Sequence, residues 1–281
     1  MKSKGAKMKK QIILPLVIWL FFMTIALSLG LTINLFYLFN FAYIGTCVAV
    51  GLFLHMKKFK YARLIVLFTV GLYMFLYLGI ISNENMQIEG FWILLFNGVF
   101  YAAVLHYLIA KIFGPLLFGR AWCGYACWTA MILELLPYKI PRNTRKNMAY
   151  IRYIVFTVSL IFSIVLFLKE VPYMGNIMFW SFIAGNITYY VTGITLAFLL
   201  KDNRAFCKYI CPITVFLKPA SYFALLRVKI NTDKCISCNK CKKICPMDVD
   251  MMVNSRKRHN GTECILCLNC IEECPQKALH C

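Results

Sequence analysis

Long apolar runs broken by short basic or acidic stretches set the pattern of this chain. Runs at 11–30, 31–54, 64–81, 91–113, 153–168 and 179–200 hold almost no charge. Each is long enough to predict a helix that crosses a bilayer, or nearly does, so six spans are expected. The polar interruptions alternate in sign. Five lysines lie within 1–10, and Lys57, Lys58, Lys60 and Arg63 follow the second run, whereas Glu84 and Glu89 follow the third. Arg120, Lys139, Arg142, Arg145, Lys146 and Arg152 fill the gap after the fourth run, and only Lys169 falls in the gap after the fifth. Basic residues concentrate on the cytoplasmic side of membrane proteins, so both termini are expected inside and the Glu84–Glu89 loop outside.

From about position 228 the apolar runs cease and cysteines take over. The stretches Cys235–Pro246 and Cys264–Pro275 both fit Cys-x2-Cys-x2-Cys-x3-Cys-Pro. Three thiolates in so short a stretch suit one cubane iron–sulfur cluster, and in the bacterial two-cluster pattern the fourth cysteine reaches the neighbouring cluster. On that rule Cys235, Cys238, Cys241 and Cys274 hold one 4Fe-4S cluster, and Cys264, Cys267, Cys270 and Cys245 hold the other. Zinc sites instead draw paired cysteines from separated knuckles.

Composition fits a membrane domain followed by a small cluster domain. The 281 residues are 61% hydrophobic and 15% charged, with mean hydropathy +0.69, which excludes a single soluble globule. A net charge of +20 would suit nucleic acid, but the basic residues sit at membrane edges and form no separate face, so no nucleic-acid partner is expected. Cluster thiolates need a reducing compartment, which also points the cysteine domain at the cytoplasm. The 11–30 run resembles a signal peptide around Ala26-Leu27-Ser28, yet it is longer than such segments and reads as an uncleaved helix. No Asp, Glu, Lys or Arg is expected near a membrane midplane, which disfavours ion pumping. His55 and His106 fall toward cytoplasmic helix ends and suit interfacial roles better than haem ligation.

The two cytoplasmic loops that follow the fourth and sixth runs repeat each other. Arg120-Ala-Trp-Cys-Gly-Tyr-Ala-Cys127 and Arg204-Ala-Phe-Cys-Lys-Tyr-Ile-Cys211 lie 84 residues apart. Such a repeat after matching hairpins implies a pseudo-two-fold axis along the membrane normal. If each Cys pair shares a helix face, the axis brings Cys123, Cys127, Cys207 and Cys211 together as a third iron–sulfur or metal site. Arg120 and Arg204 either neutralise that site or are ordinary membrane-edge arginines. Glu134 and Lys218 occupy equivalent repeat positions, so an ion pair across the axis is a further expectation.

The C-terminal stretch resembles the bacterial dicluster ferredoxins. With the helical region and the two Cys-x3-Cys loops, most of the chain resembles the NapH/NosR/CcoG group of membrane ferredoxins, although Trp128 stands where the group's first motif has proline. The expected architecture is an all-α polytopic domain (a basic tail at 1–10, then 11–227 with its cysteine loops at 114–149 and 201–227) followed by an α+β ferredoxin domain at 228–281. The resemblance implies electron transfer at the cytoplasmic face of a multi-pass membrane protein. The donor or acceptor would be a soluble carrier or quinone, and the other partner a redox protein. An alternative in the same group is a biogenesis or regulatory factor that supplies electrons for metal or thiol reduction.

Overall fold

A computed structural model describes residues 2–100, 103–143, 147–169, 174–252 and 258–281, without the side chains of 2–12 and 258–260. Arg145 and Lys146, and the side chains of the basic tail, lie outside the described residues. Helix α1 (Lys2–Thr32) and α2 (Leu35–Met56) form a hairpin. Asn34 stops the first and starts the second by accepting from the Phe36 N–H at 3.0 Å. Helix α3 (Ala62–Leu72) continues as a π-helical stretch, Tyr73–Ile81. After the polar segment 82–87 come α4 (Ile88–Phe96) and α5 (Ala103–Phe118), then the short helices α6 (Ala121–Tyr125) and α7 (Trp128–Leu133). Helices α8 (Ile151–Leu168) and α9 (Met174–Leu200) return the chain to a second short pair, α10 (Ala205–Tyr209) and α11 (Thr214–Tyr222).

Among the described residues five helices are long and apolar enough to cross a membrane: α1 from Ile13, α2, α3 with its π-helical extension, α8 and α9. The expected fourth span at 91–113 is not one helix. It breaks at Asn97-Gly98, where Gly98 takes φ +68, a conformation that no β-carbon favours. The Phe91 and Tyr107 rings stack with centroids 4.7 Å apart, whereas a continuous helix would separate these positions by about 24 Å. The chain therefore doubles back, and α5 is a short apolar helix in place of the expected span.

The break also moves the acidic segment. Glu89 Oε1 accepts from Ser159 Oγ at 3.1 Å, and Ser159 lies at the midpoint of α8. Asn85 Nδ2 donates to the Met178 carbonyl and to Ser181 Oγ on α9. Segment 84–89 thus packs among the helices, and an acid does stand at mid-helix depth. A single run of apolar letters conceals this, because re-entrant and spanning helices share a composition.

The ferredoxin domain is bounded by one antiparallel ladder, β1 (Lys229–Ile230) on β2 (Leu279–His280). Between them lie the ligand helices α12 (Lys240–Lys243) and α13 (Asn269–Glu272). Its apolar residues Val228, Met247, Ile265 and Leu279 share one core with Leu133, Phe206 and Leu217 of the loops. Domain and loops are therefore packed together as one body.

Candidate iron–sulfur sites

Both ligand stretches wind a short helix after their second cysteine, entered through a left-handed residue, Asn239 in one and Leu268 in the other. That reversal lets the flanking cysteines point the same way. Cys235, Cys238, Cys241 and Cys274 line a single recess, although Cys241 and Cys274 are far apart in sequence. Cys245 lies in the electrostatic neighbourhood of Cys264, Cys267 and Cys270 instead. Backbone N–H groups point at sulfur: Ser237 to Cys235 at 3.4 Å, Val249 to Cys245 at 3.4 Å and Ala278 to Cys274 at 3.3 Å. Such donors stabilise thiolates. Burial pushes the thiols up, Cys245 to about 11 and Cys264 to about 12, against the backbone N–H donors that favour the thiolate. Each set of four thus joins three cysteines of one stretch with the fourth of the other.

The octapeptide cysteines also gather. Burial is the main force raising Cys207, to about 12, and Cys211, to about 11, and each of these two lies in the field of Cys123 and Cys127. The geometry differs from two helix faces. Helix α6 ends at Tyr125 and α10 at Tyr209, so Cys127 and Cys211 sit in the following turns, Cys127 as the extended residue before α7. Trp128 has a local reason to stand where proline is expected, since its indole N–H donates to buried Asn186 on α9 at 2.7 Å. Among the described residues no three His, Cys, Asp or Glu side chains close to single-ion distance, in these loops or in the ferredoxin domain.

The two arginines are fully buried, not edge residues. They cross over reciprocally. Arg120 donates to the Cys207 carbonyl at 3.3 Å and Arg204 to the Cys123 carbonyl at 3.0 Å, each clasping the other repeat. Arg204 is paired with Glu134, and Arg120 with Glu263 just before Cys264. Arg63 reaches both Glu134 and the Gly124 carbonyl. Burial alone would raise the Glu134 carboxyl, but Arg204 and Arg63 outweigh it and hold it at about 2. Asn203 stitches the loops together, bonding the Tyr138 N–H at 2.9 Å and the Leu136 carbonyl at 2.7 Å.

The expected Glu134–Lys218 pair does not form. Glu134 is taken by Arg204 and Arg63, and Lys218 faces Glu263 at 3.4 Å. The ferredoxin domain breaks the pseudo-symmetry, because it supplies Glu263 to Arg120 of the first repeat whereas Arg204 of the second is paired with Glu134. Buried Lys208 similarly bridges Asp202 and Asp248 of the domain. A further buried cation is Lys111, at the end of the 91–113 apolar run. It is buried over the Trp122 ring, 4.8 Å from the centroid, within the field of Cys123, Cys127 and Cys211. His55 and His106 go to different places: His55 faces Glu272 at 4.0 Å, and His106 packs on Trp122.

One cluster set lies against the octapeptides. Tyr125 donates to the Leu266 carbonyl, between Cys264 and Cys267, at 3.0 Å. Gly124 admits the Ile265 carbonyl so closely that a β-carbon would stand 2.6 Å from it. The Cys235 set is at the far end, where Cys238 and Ile236 are exposed.

The comparisons agree with this chemistry. Residues 227–275 match a 4Fe-4S dicluster domain, and residues 102–147 and 189–232, which contain the two octapeptides, match a 4Fe-4S binding domain. The chain is 27% identical to the uncharacterized protein MJ0750 of Methanocaldococcus jannaschii over 50% of this chain and 65% of that protein. It is 24% identical to MJ0749 of the same organism, over 52% of this chain and 60% of that protein. It is 23% identical to the "Putative electron transport protein YccM" of Escherichia coli K12, over 62% of this chain and 54% of that protein. The chain thus spans between 54% and 65% of the length of these relatives. No solved structure matches. This is a mostly helical chain with candidate membrane helices and a 4Fe-4S dicluster ferredoxin domain at its C-terminal end.

Proposed function

We propose that this protein is a membrane-anchored electron conductor of the NapH/NosR/CcoG type, with three cluster sites in a row. Cys235, Cys238, Cys241 and Cys274 hold the exposed end. Cys264, Cys267, Cys270 and Cys245 hold the middle, and Cys123, Cys127, Cys207 and Cys211 hold a third cluster at the membrane face. Bound clusters supply single-electron transfer, and the chain supplies order, burial and charge. Arg120, Arg204 and Lys111 surround the innermost thiolates with positive charge, which favours a net anionic cluster there. Helix α5 completes the inward passage that α3 requires, so the count of crossings keeps both termini and all three sites on the cytoplasmic side of the cell membrane. A soluble or membrane redox protein meets the exposed end, and quinone or a membrane partner the other.

The observation that carries this reading is the seating of Ile265 and Leu266 on Gly124 and Tyr125, which sets the middle ligand loop against the four-cysteine loops. Rapid reduction by a protein donor, followed by freeze-quench electron paramagnetic resonance, tests it. A Cys238→Ser variant should delay reduction of the middle and inner sites while both can still be reduced chemically. Undiminished reduction of the inner site in that variant would show that electrons do not enter through the exposed end.

A further inference from the structure

The row of cysteines leaves one half-buried acid, Glu89, without a task. Glu89 Oε1 accepts from Ser159 at the midpoint of α8, and Oε2 is buried with no partner among the described residues. No cation among the described residues neutralises it. An acid at such depth is costly to keep ionised, and intramembrane carboxyls of this kind usually bind a proton or ion in the working cycle.

Its surroundings lead to the four-cysteine site. From α5, Tyr107 stacks on Phe91, two residues beyond Glu89, with its hydroxyl buried and unpartnered among the described residues. From α9 comes Tyr189, whose ring packs 5.0 Å from that of Phe206, the neighbour of Cys207. Both hydroxyls lie within the electrostatic reach of Glu89 and of Cys211. Helix α8 presents the Ser159 hydroxyl, and α11 presents only the Phe216 ring toward Phe91 and Trp92. Tyr107 on Phe91 and Tyr189 on Phe206 are thus the polar groups nearest the line from the Glu89 segment to the cysteine loop.

We propose that Glu89 is a redox-linked proton site: its carboxylate takes up one proton when the four-cysteine site gains an electron, and releases it when the electron leaves. An electron added among buried thiolates makes the potential at Glu89 more negative, and in a low-dielectric interior that charge is poorly screened. Protonation of the carboxylate offsets it. The balance is one electron from a one-electron donor, one proton from water, and one O–H bond formed on Glu89, with no bond to sulfur made or broken. This inference rests on the reading that the four cysteines hold a cluster.

The test uses the full-length protein in detergent with dithionite as donor. The potential of the inner site should fall as pH rises. One proton per electron means a tenfold change in the reduced fraction per pH unit, equivalent to about 59 mV for a one-electron step. Glu89→Gln should flatten that dependence, and Ser159→Ala should move its pH range without abolishing it. Reduction-induced infrared difference spectra should show a protonated carboxyl band in the wild type that Glu89→Gln lacks. Should Glu89→Gln fail to assemble, the band and its displacement by Ser159→Ala decide the matter. An inner-site signal with no pH dependence and no carboxyl band overturns this inference alone. Absence of any inner-site signal overturns the cluster reading as well.

Discussion

Arg204 donates to the backbone carbonyl of Cys123 at 3.0 Å, so a guanidinium from the second repeat closes over the ligand loop of the first. Arg120 repays the contact at Cys207, and each arginine is then neutralised by a carboxylate it could not have found within its own octapeptide. The four cysteines are brought together by these cross-clasps more than by helix faces.

Removing one end of such a buried pair strands the other. Glu134→Gln leaves Arg204 and Arg63 short of a carboxylate, a loss on the order of 3–5 kcal/mol for a buried pair. The variant should lower the melting temperature and weaken the inner site before the ferredoxin clusters. Glu134→Lys with Lys218→Glu should give no rescue, because these residues have different partners. Thermal denaturation followed by absorbance and circular dichroism checks both.

Gly124→Ala places a β-carbon 2.6 Å from the Ile265 carbonyl, against backbone that cannot swing aside. Overpacking of this kind costs about 1–3 kcal/mol. The expected outcome is slower electron exchange between the middle and inner sites at unchanged iron content. Gly175→Ala, with nothing within 4 Å of the added carbon, is the control and should behave as wild type.

Cys241→Ser and Cys274→Ser should alter the same paramagnetic signal, since both side chains line one recess. A Cys274→Ser variant that disturbs only the signal lost in Cys264→Ser would reverse the assignment of the fourth ligands.

Topology can be checked at exposed Asn83, because Asn85 is buried against α9 and would report packing instead of sidedness. An impermeant thiol reagent should label Asn83→Cys in intact cells and Lys57→Cys only after lysis. The opposite pattern would invert the orientation.

The dicluster stretch was legible because three cysteines of each motif are close in sequence, and residues 227–275 do match a 4Fe-4S dicluster domain. The octapeptide cysteines were legible as a repeat, but their cohesion was not. Glu134 and Glu263 stand 70 and 143 residues from the arginines they neutralise, distances over which no periodicity reports. Lys111 read as part of an apolar run, and only the fold lays it on Trp122. The break at Asn97-Gly98 did carry a signal, a turn dipeptide inside a hydrophobic stretch, and Asn85, Gln87 and Glu89 ahead of it were too polar for an idle loop edge. Hydropathy outweighed both, because a half-helix against other helices is as apolar as a full span.

The number of clusters per chain distinguishes a three-site conductor from a two-cluster ferredoxin on a membrane anchor. Iron and acid-labile sulfide should be determined on anaerobically purified full-length protein and on the Cys123→Ser/Cys207→Ser double variant, with electron paramagnetic resonance of both after reduction. Three 4Fe-4S clusters predict about twelve iron atoms per chain, falling to about eight in the double variant with loss of one signal. About eight iron atoms in both proteins, with identical spectra, would contradict a third cluster and leave the four loop cysteines without one.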